Sequence, residues 1–443
     1  MTISADGNEP TPVDALHARQ TQMLRTLLAT LDGKNEFYTD RLRAAKLNPA
    51  TVRLEEFTAT FPLTHKAELA ADQEAHPPYG TNLTFPLDQY VRLHQTSSTT
   101  GEPLRWLDTQ DDWQQLLEGW KQVLRMAGVT SRECALAAFS FGPFIGLWMA
   151  FEAAVQLGCL CIPGGAMNSI MRLRAILAND VTVLFCTPTY ALRLGDVARE
   201  EGIDLAQSCV HTIIVAGEPG GSISAVRERI AACWPDARVF DHHGMTETGP
   251  VTYECPHTPG LLHVMEDAFL AEVIDRETLQ PIAVDGERMG ELVLTTLLRP
   301  GAPVLRYATG DIVQPLRRSR CACGSHNLAL AGGIISRADD MVFIRGVNVY
   351  PAVIESVLRQ ISEVVEFECH LTTVRGLAEL TVVIEPRDDA DAEKLCATTS
   401  AALRSALNIR IPVMSAAAGS LPRYELKARR WKRVAAETTE SDE

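Results

Sequence analysis

Basic residues are in short supply: Lys and Arg total 41 against 56 Asp and Glu, a formal net charge of −15. That deficit argues against a chain built to grip nucleic-acid backbones or an anionic lipid surface, although a local basic pocket is compatible with it. Internal repeats and low-complexity tracts are missing, so a solenoid or fibrous architecture is not indicated. The opening residues MTISADGNEPTP have no basic stretch leading into an apolar run, and no secretory leader is expected. The 18 charge-free residues from Cys134 to Phe151 touch the length of a membrane span. Gly142-Pro143 interrupts them, however, and Glu152 follows at once. A buried strand over 135–140, a Gly-Pro turn and a core helix from about Phe144 fit that run better.

What is present describes a large acidic soluble protein. The 443 residues are 46% hydrophobic and 22% charged, ordinary for a globular chain and enough for a sizeable core without disulfides. Eleven cysteines, an odd number, run from Cys134 to Cys396. Reduced thiols in a cytoplasmic protein are expected, with metal binding the exception to look for.

The pattern of apolar residues divides the chain. Residues 10–50 have helical spacing in Leu16, Met23, Leu24, Leu27 and Leu28. Beyond Thr96, short apolar runs at 159–163, 181–186, 211–217 and 237–242 predict buried strands. Helices are expected between them at 169–178, 190–201 and 222–233. That alternation implies a largely parallel sheet covered by helices. From about 268 the strands FLAEVID and GELVLTT suggest antiparallel hairpins. The segment after 340 predicts a separate small α/β unit, and only the tail AAETTESDE has a disordered composition.

Four stretches carry candidate chemistry. TSSTTGEP (96–103) follows the predicted strand YVRLHQ, and its hydroxyls and glycine could surround phosphate oxygens; a solvated turn is the plain alternative. It lacks the Gly-Lys-Ser/Thr ending of a Walker loop. DHHGMTETG (241–249) follows the strand ARVF, at the kind of turn where open α/β sheets hold ligands. There Glu247 could hold a hard cation and Thr246 could serve a phosphate, unless Thr246 merely caps a helix. RYATGD (306–311) offers Asp311 as a loop carboxylate suited to a ribose diol, or simply a turn aspartate. In SRADDMVFIRGVNVYPAVIE (336–355), two aspartates precede a strand, a Gly turn and a Pro-started helix.

In this order, together with CTPTYAL, VAGEPGGS and ELKARR, these motifs resemble the adenylate-forming superfamily, specifically acyl-CoA synthetases of the phenylacetate–CoA ligase type. The resemblance runs from NEFYTDRL (35–42) to LPRYELKARRW (421–431). It implies an α/β fold with a large N-terminal domain of mostly parallel sheet and an antiparallel β region, followed by a small mobile C-terminal α/β domain. The expected divisions are 1–336, a hinge at 337–340 centred on Asp339, and 341–443. ATP, Mg²⁺ and coenzyme A are implied, and the reaction is activation of a small carboxylic acid as acyl-adenylate followed by thioester formation. Thr96, Ser97, Ser98, Thr99, Thr100 and Gly101 would form the phosphate loop. Gly217, Glu218 and Pro219 would border adenine, with Asp241 and His242 on its other side. Thr246 would touch the α-phosphate, Glu247 would ligate Mg²⁺, and Asp311 supported by Arg337 would hold the ribose. Lys427 matches the catalytic lysine. The family loop usually reads SSGTTGKP; here Ser98 replaces its glycine and Glu102 its lysine. Ala308 stands where Arg is common.

A carboxylate is a poor electrophile, and making it an adenylate is mainly a matter of positioning and charge neutralisation. A lysine on a mobile domain can serve the first step and leave before the thiol enters. Cys321 and Cys323, with Cys255 and His263 from another loop, could close a tetrahedral zinc site, as similar loops in relatives suggest. His257 and His326 compete as ligands, and four unrelated reduced residues are the alternative. Phe141, Phe144 and Trp148, with Gly217 as floor, are candidates to line the acyl pocket, which would favour an aryl or arylalkanoic acid; plain core packing is the alternative. Transfer to a carrier protein or amine, and a non-catalytic nucleotide-binding relative, are competing readings. No nucleic acid or membrane partner is expected, and a homodimer is compatible with the reading.

Overall fold

In a computed structural model, residues 12–96, 102–316, 320–338, 340, 342–344, 347–374, 377–424 and 428–434 are described. The expectations for Ser97, Ser98, Thr99, Thr100, Gly101, Asp339 and Lys427 lie outside the described residues.

Five parallel strands form the centre, in the order Leu160–Pro163, Cys134–Ala137, Val183–Cys186, Thr212–Val215 and Arg238–Asp241. Alternate side chains of each strand enter different cores, as a period of two requires. Ala135, Ala137, Val183, Phe185, Ile214 and Phe240 meet Trp113, Leu116 and Trp120 of the helix Gln110–Met126 and the helix Trp148–Leu157. Leu136, Leu184, Ile213, Val215 and Val239 meet the helices Ser169–Ala178, Pro188–Glu200 and Ser224–Cys233 on the other face. Coverage on both faces explains why the inner strands read as largely apolar runs, while the edge strand Leu160–Pro163 is partly exposed. The run from Cys134 to Phe151 resolves into a strand, a turn and the start of a helix. Among the described residues no helix is long and apolar enough to cross a membrane.

Two four-stranded antiparallel sheets follow. One is ordered Phe269–Ile274, Gly290–Thr296, Tyr307–Val313, Ser336–Arg337, and the other Thr252–Cys255, Thr258–Val264, Ala329–Ala331, Pro315–Leu316. The N-terminal helices Pro12–Leu31, Glu36–Ala44 and Leu54–Thr60 build their own cluster from Leu24, Leu28, Tyr38 and Phe57, closed against Leu270, Leu297 and Leu305.

After the short hairpin Val342–Ile344/Val347–Val349, the C-terminal α/β domain has a sheet ordered Val413–Ser415, Leu377–Pro386, Val364–Val374, Trp431–Arg433. The helices Pro351–Gln360 and Ala392–Leu407 pack on it, and among the described residues its buried core draws on residues from Ile344 onward. Two expectations are corrected. Thr246 starts no helix, because 244–250 is a tight two-strand turn. Asp311 lies within the strand Tyr307–Val313 and not in a loop; pairing with Arg337 on the next strand fixes it there.

Candidate active site

The site gathers at the C-terminal ends of the parallel strands, where such sheets leave a crevice. The strand Arg238–Asp241 delivers Asp241 and His242, but both side chains are committed inward. Asp241 accepts from Ser222 Oγ and from the His242 N–H. The chain must pass very close here, since a Cβ at Gly221 would lie 2.2 Å from Asp241 Oδ1. Burial raises the Asp241 pKa. His242 holds the Thr252 carbonyl through Nδ1 at 2.7 Å, and its ring lies 4.3 Å from that of Trp120. Burial drives its pKa down to about 3, so the ring is neutral.

His243, which the sequence motifs passed over, turns the other way. Its Nε2 lies 3.0 Å from Asp311 Oδ2, while Arg337 Nη1 donates to Oδ1 at 2.8 Å. Burial alone would raise the Asp311 pKa, but His243 and Arg337 override it and hold the carboxylate below its usual range. Arg337 is raised in return: burial opposes its charge, and Asp311 outweighs that.

Glu247 is almost wholly buried, and its Oε1 accepts from the Tyr307 hydroxyl at 3.2 Å and pairs with Lys66 Nζ at 3.2 Å. Burial, with this carboxylate beside it, pushes the Tyr307 pKa well up. The Thr246–Glu247 turn is fixed from behind by Arg299, which donates through Nη1 to both their carbonyls at 3.0 Å. Arg299 is itself buried and paired with Asp108, 2.7 Å from Nε. Neither Arg299 nor Asp108 belongs to a local motif; they meet only through the fold.

The remaining candidates are held by contacts of their own. Thr96 closes the base of the 97–101 stretch, its N–H donating to the Leu104 carbonyl at 2.9 Å and its Oγ1 accepting from the Leu104 N–H at 3.0 Å. Gly217 has φ +95°, a value glycine tolerates, and Pro219 is exposed. Glu218 accepts the Thr189 N–H at 2.8 Å and the Ala428 N–H of the C-terminal domain at 3.0 Å. The last motif of the chain is thereby joined to VAGEPGGS of the large domain. Phe141 meets Trp148 edge-on at 4.6 Å within a cluster that includes Phe139 and Phe151, whereas Phe144 is 48% exposed.

Cys255, His263, Cys321 and Cys323 come together with their ligand atoms all within 4.8 Å of one another. Cys255 and His263 arrive on adjacent antiparallel strands. Cys321 and Cys323 arrive on a turn in which the Gly324 N–H donates to the Cys321 carbonyl at 2.8 Å, with Gly324 at φ +84°. Cys255 Sγ lies 3.5 Å from Cys321 Sγ, and Cys323 Sγ 3.5 Å from His263 Nε2. A tetrahedral ion with sulfur at about 2.3 Å has edges of about 3.8 Å, so the donor set has the size of a zinc site.

The family model for AMP-binding enzymes matches residues 24–296, and that for the AMP-binding enzyme C-terminal domain matches 346–433. The chain is 32% identical over 359 residues to a phenylacetate-coenzyme A ligase of Thermus thermophilus, covering 81% of this chain and 78% of that one. It is 30% identical over 438 residues to the Pseudomonas putida phenylacetate-coenzyme A ligase, covering 96% and 95%. Among solved structures, a 2-hydroxyisobutyryl-CoA ligase in the postadenylation state with 2-HIB-AMP superposes with a TM-score of 0.90 at 26% identity, covering 98% of this chain and 94% of that one. With 2-HIB-AMP and CoA in the thioesterification state, the same coverage and identity give a TM-score of only 0.72. At equal identity and coverage, the chain superposes better on the postadenylation structure than on the thioesterification one.

Proposed function

The chain belongs to the AMP-binding enzyme family as an AMP-forming acid–CoA ligase of the phenylacetate–CoA ligase type, and from that premise we propose that its acid is a small aromatic or arylalkanoic carboxylate. The observation that carries the reading of the site is that Glu247 with Tyr307, and His243 and Arg337 with Asp311, gather on the one strand Tyr307–Val313.

In the first half-reaction a carboxylate oxygen attacks the α-phosphorus of ATP, the bond to the bridging oxygen breaks, and pyrophosphate leaves. In the second the CoA sulfur attacks the acyl carbon, AMP departs with the bonding electrons, and the thiol proton is released. Asp311, ionised and oriented by His243 and Arg337, accepts from the ribose hydroxyls. Thr246 offers its hydroxyl to the α-phosphate, and Gly217, Glu218 and Pro219 border the base, with Asp241 and His242 buried behind the opposite side. Arg299 keeps the Thr246–Glu247 turn from relaxing when charge builds beside it. The Glu247 carboxylate suits Mg²⁺, which binds through one or two carboxylates plus substrate phosphates and would neutralise charge on them. Residues 96–101 would enclose the phosphates, and Lys427 would add its ammonium in the first half-reaction only. The Phe141–Trp148 cluster supports an aromatic acid.

Cys255, His263, Cys321 and Cys323 would hold a structural Zn²⁺ that takes no part in the chemistry, since four protein ligands leave no open position. We place the divisions at 1–336, a hinge at 337–340 about Asp339, and 341–443, supported by the self-contained core beyond Ile344. A cytoplasmic site agrees with eleven free cysteines. A homodimer is supported by the exposed apolar residues Val155, Leu160 and Met171 around the edge strand of the parallel sheet, and light scattering at the mass of two chains would establish it.

The test is AMP release across a panel of carboxylic acids, with and without CoA. Release that requires both an aromatic acid and CoA supports the proposal. A preference for short aliphatic hydroxy acids would displace the aromatic assignment, and release supported by an amine or carrier protein in place of CoA would displace the acceptor.

A further inference from the structure

We propose that Lys66 is the large domain's own cation for the triphosphate of ATP, standing in for the lysine that the phosphate loop lacks at Glu102. The inference rests on the reading of the crevice as an ATP site.

Lys66 opens the helix Lys66–Ala75, and its position is set by the residues just before it. The Thr64 N–H donates to the Arg306 carbonyl at 2.9 Å, its Oγ1 donates to the Leu305 carbonyl at 2.7 Å, and its own carbonyl accepts from the Ala308 N–H at 3.0 Å. Residues 64–66 therefore ride on the strand that carries Tyr307 and Asp311. The His65 N–H donates to Glu68 Oε2 at 2.7 Å, and Arg41 pairs with Glu68 at 2.8 Å, which fixes the helix start. The outcome is an ammonium 3.2 Å from Glu247 Oε1, on a side chain 48% exposed beside a carboxylate 6% exposed. Lys66 thus reaches Glu247 from the solvent side, half exposed, while Glu247 itself is buried.

Charge decides what that ammonium does. Two buried carboxylates, Glu247 and Asp311, belong to the site, and Glu102, just after the 96–101 stretch, is a third, exposed one. Arg337 is committed to Asp311, and Arg299 to Asp108 and two carbonyls. A polyphosphate entering this field needs an accessible counter-charge, and Lys66, half exposed and paired with Glu247, supplies one once that pair opens. It gives up Glu247 when a divalent cation takes that carboxylate, and offers its three N–H donors to the β- and γ-phosphate oxygens.

Calorimetry with ATP, Mg²⁺ and AMP as probes tests this. Lys66→Ala should weaken binding of ATP with Mg²⁺ by about 10- to 100-fold, the loss expected for a charge-assisted contact. AMP, which has no β- or γ-phosphate, should bind within about threefold of the unmodified protein. Lys66→Arg should keep most ATP affinity, and adding Glu102→Lys to Lys66→Ala should recover part of what was lost. ATP affinity unchanged in Lys66→Ala, equal losses for ATP and AMP, or no recovery with Glu102→Lys would each overturn the proposal. An unmodified protein that binds neither nucleotide would instead overturn the ATP-site reading beneath it.

Discussion

Asp311 apart, which His243 and Arg337 hold low, two sets of buried carboxylates are held in opposite ways in the two domains. In the large domain Asp108, Asp241, Glu254 and Glu272 lie so deep that burial outweighs their partners and raises each pKa. In the small domain Glu366, Glu368 and Glu385 are also buried, yet Arg430, His370 with Lys432, and Arg423 override burial and hold them low. The large domain tolerates an electrostatic cost where its arginines lock site-bearing turns: Arg299 behind Glu247, and Arg227 linking Glu254 to the Asp241 strand. The small domain stabilises itself with internal pairs and touches the site through a few bonds, such as Ala428 to Glu218 and Arg229 to the Val364 carbonyl at 3.3 Å. The large domain supplies most of the charged side chains of the candidate site, and the small one adds contacts at residue 428.

The largest test of that contrast is Lys427→Ala. Adenylation should fall by on the order of 10²–10⁴, as for loss of one transition-state electrostatic contact. Conversion of preformed acyl-adenylate to acyl-CoA should proceed near the unmodified rate. Equal loss in both half-reactions would erase the division of labour.

Arg299→Met probes the large domain. Leaving Asp108 buried without its partner should cost about 3–5 kcal/mol of stability, measurable by denaturant unfolding. Asp108→Asn combined with Arg299→Met should recover much of it, because no uncompensated charge is left behind. A cost below about 1 kcal/mol for the single variant would mean that the turn is not anchored as described.

Metal removal comes next. Protein purified without chelator should contain at least about half an equivalent of zinc, and extraction should lower the unfolding midpoint of the large domain alone. Less metal than that would remove the site.

These residues divide by how much of their setting is local. Glu247, Asp311 and the clustered Cys255, His263, Cys321 and Cys323 were picked out because each lies in a short run of characteristic chemistry, and the parallel sheet was legible because its inner strands, covered on both faces, are largely apolar. Lys66, Arg299, Asp108 and His243 were not. Lys66 meets Glu247, and Arg299 meets Asp108, only after distant segments fold together, and His243 looked like its neighbour His242 until the turn pointed them apart. The strand placement of Asp311 was hidden as well, since RYATGD has the glycine and aspartate of a turn while Gly310 adopts φ +76° within a strand.

The smallest effect is an order of unfolding in acid. A carboxylate with a raised pKa costs stability at neutral pH, and the cost is relieved as pH falls through its folded value. One with a depressed pKa contributes stability above its ordinary value, 4.5 for Glu, and loses it as pH falls through the folded value. Below about pH 4.5 the small domain should therefore lose hydrogen-exchange protection before the parallel-sheet core of the large domain does. Simultaneous loss, or the reverse order, would break the electrostatic contrast.

The central claim, a carboxylate activated as its adenylate before thiol enters, is tested most directly by exchange of labelled pyrophosphate into ATP without CoA. Exchange should depend on the acid and need no CoA. No exchange with any acid that supports CoA-dependent AMP release would contradict it.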